Sequence, residues 1–66
     1  MEIISAEEYV ACVQTGHKPT IAMVGPLVVT EGVLTQSGKY ILVIDGNPYE
    51  VNSNFRITVD WELRKS

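Results

Sequence analysis

The segment Phe55-Arg56-Ile57-Thr58-Val59-Asp60-Trp61-Glu62-Leu63-Arg64 decides the fold class, because apolar and polar side chains alternate strictly along it. Alternation at period two is typical of a β-strand with one buried face and one exposed face. We therefore predict that the last strand runs to Leu63 and that its apolar face, which includes Trp61, packs against a core.

Four more strands are predicted upstream of this segment. They are apolar and rich in β-branched residues, and glycine-containing turns separate them: Thr20–Val24, Leu27–Thr35, Lys39–Ile44 and Tyr49–Val51. Gly32, inside the second run, indicates a bulge or a sharp bend. Asp45-Gly46 is typical of a tight hairpin turn, which we expect Asn47-Pro48 to prolong.

One helix is predicted before the strands. Ser5-Ala6-Glu7-Glu8 has the pattern of a capping box, with Ser5 as the residue that caps the first turn. Gly16 suits a left-handed stop, and Pro19 follows soon after. The sequence thus indicates a helix over residues 6–15 and about five strands over residues 20–63, all in a single domain of residues 1–66. Closing such short strands into a small, strongly bent antiparallel barrel removes their exposed edges, and the helix then covers one open end.

Composition restricts the function. The chain of 66 residues has a net charge of −3, which argues against a broad basic surface for nucleic acid. One cysteine allows no internal disulfide, and no Cys/His cluster suggests a metal. Because a domain this small often needs a disulfide, a metal or a partner subunit for stability, we expect a homo-oligomer. The first residues resemble no signal peptide, and no run is long enough to cross a membrane; we expect a cytoplasmic protein.

The arrangement of helix, Pro19 and five strands resembles the Sm-like fold, and the Hfq family in particular. The stretch from Gly32 to Gly46 is similar to that family's first motif, and Asn54-Phe55-Arg56-Ile57 falls at the position of its second motif. The resemblance implies a ring in which the fourth strand, Tyr49–Val51, pairs with the last strand of the next subunit. An SH3-like barrel is the alternative, because small barrels share this pattern of apolar residues and turns.

The resemblance also implies a set of ligand-binding residues. Tyr40 and Phe55 fall where the family stacks bases, Asn54 can bond a base edge, and Lys39 and Arg56 adjoin them. The alternative for each is structural: aromatic residues that fill the core, a turn asparagine and solvated charges. For His17 and Cys12 we expect only structural roles, at a helix end and in the core.

Two functions follow as hypotheses, and neither needs a cofactor or a catalytic site. The first is a non-enzymatic ring that binds RNA or a nucleotide-like ligand. The second is a protein-binding module, for instance a stoichiometric inhibitor of a larger protein. For the second hypothesis the expected contact surface is the outward face of the last strand or the acidic side of the helix: Arg56, Thr58, Asp60 and Glu62, or Glu7 and Glu8.

Overall fold

The computed structural model describes residues 1–61, which form one helix and six strands. The mainly β class with one short helix is confirmed. In chain order the elements are β1 (Glu2–Ser5), α1 (Ala6–Gln14), β2 (Ile21–Val24), β3 (Leu27–Leu34), β4 (Tyr40–Ile44), β5 (Asn47–Val51) and β6 (Arg56–Asp60).

The six described strands form one antiparallel sheet in the order β1-β6-β2-β3-β4-β5. This differs from the prediction of a five-stranded barrel in two ways. A sixth strand, β1, precedes the helix, and the sheet is open, with β1 and β5 at its edges. Because β6 pairs with β1 on one side and β2 on the other, it has no free edge for the ring contact predicted with a neighbouring Tyr49–Val51.

The ends of several strands also differ from the prediction. β6 ends at Asp60, and Trp61 lies outside the strand, whereas the predicted end at Glu62 and Leu63 falls outside the described residues, as do Arg64 and Lys65. Asn47 and Pro48 belong to β5, although we predicted a longer turn. The turn consists of Asp45 and Gly46 alone, both at positive φ (54° and 81°), which is the geometry of a type I′ hairpin.

The helix begins where its cap predicts. The Ser5 hydroxyl accepts a hydrogen bond of 3.1 Å from the backbone N–H of Glu8, and α1 runs from Ala6 to Gln14. The helix packs against β3, β1, β4 and β6 through its buried residues Ala6, Tyr9 and Val10. It therefore covers one part of the core face of the sheet and leaves the part near β5 to other side chains.

β3 is the strand that bends, and Gly32 is where the helix approaches it. The register of β3 against β4 shifts between Val29 and Glu31, so this strand contains a bulge, but the bulge precedes Gly32, where we predicted it, and Gly32 itself pairs regularly with Leu42. At Gly32 a side chain has no room, since a Cβ atom there would lie 2.9 Å from Cε2 of Tyr9 and 3.0 Å from Cδ2 of Leu42. The glycine thus lets the Tyr9 ring pack directly against the backbone of the sheet.

No helix within residues 1–61 is long and apolar enough to cross a membrane.

Candidate functional site

An apolar groove lies on the core face of the sheet, beside the edge strand β5. Its volume is about 400 Å³, and most of its lining is apolar: Val24, Leu27, Ile44, Tyr49, Glu50, Val51 and Phe55. Ile44 is buried at its floor, whereas Tyr49 and Leu27 remain 48% and 39% exposed at its walls. We call this feature the β5 groove.

The sequence places these side chains in the groove through the register of three strands. Val24 and Leu27 face each other across the β2–β3 turn, and Tyr49 lies opposite the buried Leu42 of β4. Partners in an antiparallel ladder share a face of the sheet, so these residues point to the core side. The described helix packs mainly against other strands, and the groove is consequently the open end of the core.

The outer edge of β5 carries backbone groups with no partner among the described strands. The two-residue turn makes Ile44 and Asn47 a hydrogen-bonded pair, and the alternation of the ladder then turns the backbone of Pro48 and Glu50 away from β4. Pro48 has no N–H to offer, so the outward groups are the Glu50 N–H and the carbonyls of both residues. The proline limits strand addition without preventing it.

The charge around the β5 groove is acidic. Glu50 lines it, and the exposed Asp45 lies in the turn at the end of the strand. Lys39 forms an ion pair of 3.1 Å with Glu50, but both side chains are more than half exposed, so water screens the pair. The whole chain carries a net charge of −3.

The five residues predicted to bind RNA have different surroundings in the structure. Asn54 and Arg56 line a small groove together with Ser5 and Glu8. Lys39 is paired with Glu50. Their grouping as one binding site remains a prediction.

The two aromatic residues of that set, Tyr40 and Phe55, are both related in the sheet to Val51. Tyr40 faces Val51 across the β4–β5 ladder, and Val51 in turn lines the β5 groove with Phe55. Both rings are half-buried and pack against the core, as the structural alternative expected.

A second polar cluster ties the N-terminal strand to the end of β6. The Trp61 indole N–H donates a 2.9 Å hydrogen bond to a carboxylate oxygen of Glu2, and the His17 ring stacks on the indole at a centroid distance of 5.4 Å. Trp61 also packs against the core, as predicted. We interpret the cluster as structural, since it closes the gap between β1, the loop after α1 and β6.

The fold changes the acidity of Cys12 and of Tyr9. Burial raises the pKa of the Cys12 thiol, and Glu8 and Glu2 add to the increase by repelling the thiolate. Burial also raises the pKa of Tyr9, with a contribution from Glu31. Both groups therefore stay protonated, and Cys12 is a weaker nucleophile than an ordinary cysteine. Residues 1–61 contain no cluster of three or more His, Cys, Asp or Glu side chains arranged to hold a metal ion.

Sequence patterns did not single out the β5 groove, although its residues were visible in them. Leu27, Ile44 and Tyr49 each appear as ordinary apolar positions in three different strands, and only the ladder brings them together. Comparison with known proteins adds no candidate: no family model, no curated protein and no solved structure matches this chain.

Proposed function

We propose that this chain is a non-enzymatic protein-binding module, which takes an extended apolar segment of another protein into the β5 groove. The observation that carries the proposal is an apolar groove running beside a strand edge with outward backbone groups. Recognition of an extended peptide at a sheet edge uses these two features together: backbone hydrogen bonds supply affinity, and a groove for alternate side chains supplies specificity.

The charge of the groove indicates the chemistry of the partner. Glu50 lines the groove, where the exposed Lys39 pairs with it only weakly, Asp45 follows in the turn next to Ile44, and the chain as a whole is acidic. A segment with basic residues flanking its apolar core complements this surface, and the charges accelerate its encounter with the module. The occupant we propose is therefore an apolar strand with Lys or Arg at its ends. A reducing, cytoplasmic location suits a chain with a single free cysteine.

Selection from a library of random peptides tests the proposal. The wild type should enrich peptides with apolar residues at alternate positions and basic residues outside them. Leu27→Asp should weaken binding of an enriched peptide by about tenfold or more, because it places a carboxylate in an apolar groove. Amide chemical shifts should change at Tyr49, Glu50 and Val51 when the peptide is added.

Val28→Asp is the matched control. Val28 is the next residue of β3 and is 49% exposed, but it points to the opposite face of the sheet from Leu27. Peptide binding should survive this change. Failure to enrich any peptide class, or equal losses in the Leu27 and Val28 variants, would remove the β5 groove as the binding site.

The second candidate is a ring of Sm-like subunits that binds RNA or a nucleotide-like ligand. Its support is the neighbouring position of Tyr40 and Phe55 around Val51 and the pairing of β6 with β2, which a five-stranded barrel also needs between its first and last strands. This candidate requires β1 to leave the edge of β6, so that another subunit can pair there.

Fluorescence anisotropy with short single-stranded RNA distinguishes the two candidates. If Tyr40 stacks on a base, Tyr40→Ala should weaken RNA binding by about 1–3 kcal/mol without loss of the circular dichroism spectrum. Native mass spectrometry should then show a ring with bound oligonucleotide. A wild type that ignores RNA at low salt, yet binds the selected peptides, leaves the protein-binding module as the function.

A further inference from the structure

The face of the sheet opposite the helix carries a row of side chains that spans four strands. Ile3 of β1 pairs with Thr58 of β6, Thr58 pairs with Met23 of β2, and Met23 pairs with Val28 of β3. Since paired residues of neighbouring strands point to the same face, these four side chains lie side by side. We call them the outer row.

Three of the four side chains of the outer row are apolar; Ile3 and Val28 at its ends are exposed, and Thr58 and Met23 between them are half-buried. Ile3 is 60% and Val28 49% accessible, and Ile21, beside the row on β2, is 41% accessible. No described element packs over them, because α1 lies on the other face with Tyr9 and Val10. Single exposed apolar residues are common, but several on one uncovered face, here from β1, β2 and β3, are typical of interaction surfaces.

Two opposite charges flank the outer row on β6. Arg56 and Asp60 are both exposed and point to the same face as Thr58, one on either side of it along the strand. At a rise of about 3.3 Å per residue, each lies roughly 7 Å from Thr58. The charges are thus placed symmetrically about the row and have opposite sign.

We propose that the outer row is the interface of a symmetric homodimer, in which two copies pack their sheets face to face. The two-fold axis of such a dimer lies between the sheets, and two directions are natural. An axis along the strands, through the middle of the outer row, lays β6 over β2 of the partner subunit, so that neither Arg56 nor Asp60 faces an opposite charge. An axis along the outer row makes the two β6 strands antiparallel and sets each Arg56 against an Asp60 of the partner subunit.

The charges therefore select the second arrangement, which is self-complementary as a two-fold interface must be. Sheets packed face to face keep their strands within about 30° of each other, so the opposed charges stay within reach at the margin of the contact. The apolar side chains of the outer row meet their own copies near the axis.

The area of the outer row limits the stability of the dimer. Four strands about 4.8 Å apart and five residues at about 3.3 Å give a footprint of roughly 19 by 17 Å. The resulting area of roughly 320 Å² is less than the ~800 Å² that a stable interface buries on each partner. We accordingly expect a dimer that forms and dissociates with concentration, and no larger ring.

Analytical ultracentrifugation from about 10 µM to about 1 mM tests the proposal. The wild type should pass from one-subunit to two-subunit mass over this range. Arg56→Asp alone and Asp60→Arg alone should each weaken the dimer by about tenfold, because two opposed pairs become like charges. The double variant R56D/D60R should restore it, since the pairs are then reversed but again opposite.

The charge-reversal variants are the decisive experiment, because they leave the apolar area of the interface unchanged. Only the antiparallel arrangement explains why the double variant would dimerise again. Val28→Asp should abolish the dimer, whereas Leu27→Asp, on the other face, should leave it intact. A wild type that stays a monomer at the highest concentration overturns the proposal, and so does a double variant as weak as the single ones. Circular dichroism of each variant verifies that it is folded.

Discussion

Gly32→Ala should destabilise the protein, although the substitution adds only one methyl group. Gly32 is not among the glycines at positive φ, so its backbone is open to alanine and the effect comes from packing alone. The new Cβ would lie 2.9 and 3.0 Å from two carbons of the Tyr9 ring and 3.0 Å from a methyl carbon of Leu42. Both neighbours are fully buried, so neither can move aside into solvent.

Two opposing contributions determine how much stability Gly32→Ala should lose. An extra methyl in a well-packed core costs about 1–3 kcal/mol, because neighbouring side chains must leave their rotamers. Replacing glycine lowers the entropy of the unfolded chain and returns about 0.4–1 kcal/mol. The net loss is thus roughly 1–2 kcal/mol. For a domain of this size, each kcal/mol lowers the melting temperature by about 4–8 °C.

Thermal and urea unfolding followed by circular dichroism measure this loss. The double variant with Leu42→Ala gives a sharper comparison, because the smaller side chain removes one of the three close contacts of the new methyl group. In that background Gly32→Ala should cost less than it does alone, so the two changes are coupled. A Gly32→Ala variant as stable as the wild type would show that α1 does not pack on β3 as closely as the structure describes.

Three further predictions concern α1. Tyr9→Phe should leave the urea midpoint unchanged or raise it. The buried hydroxyl has no hydrogen-bond partner among residues 1–61, and its desolvation costs about 1–3 kcal/mol. A clear loss of stability in this variant would reveal a partner. Ser5→Ala should cost about 0.5–2 kcal/mol through the lost cap, and an unchanged urea midpoint would contradict the role of Ser5. The pH midpoint of Cys12 alkylation by iodoacetamide should lie above the ordinary thiol value of 9.0 in the folded protein and should fall in urea. Glu8→Gln should lower the midpoint of the folded protein. Equal midpoints in the folded and unfolded protein would refute this prediction.

Local patterns predicted the elements whose structure depends on near neighbours. The cap at Ser5, the type I′ turn at Asp45-Gly46 and the alternation of β6 all act within a few residues, and each appears in the structure. In contrast, β1 was missed. Its four residues are too few to show a period, and Ile4 and Ser5 also fit the start of a helix, so only pairing with β6 makes this segment a strand.

The candidate sites depend on long-range register and were therefore harder to predict. Lys39–Ile44 has apolar residues on both faces, a pattern typical of a central strand covered on both sides. The structure covers one face, where Leu42 and Ile44 are buried, and leaves Ile41 and Val43 half-buried on the other. A sequence shows that a face is apolar, but whether a neighbouring element or a partner covers it depends on tertiary structure.

Leu27 and Val28 place the two proposed interfaces on opposite faces of the same strand. Leu27 belongs to the β5 groove and Val28 to the outer row, so a dimer formed through the outer row leaves both grooves open. Such a dimer presents two binding sites, and a partner with two suitable segments would bind it with higher avidity than either segment alone provides. Because the proposed dimer is weak, this gain should appear only where the chain is concentrated. The Val28→Asp variant separates the contributions, since it should keep the affinity for a single peptide and lose the extra affinity for a tandem one.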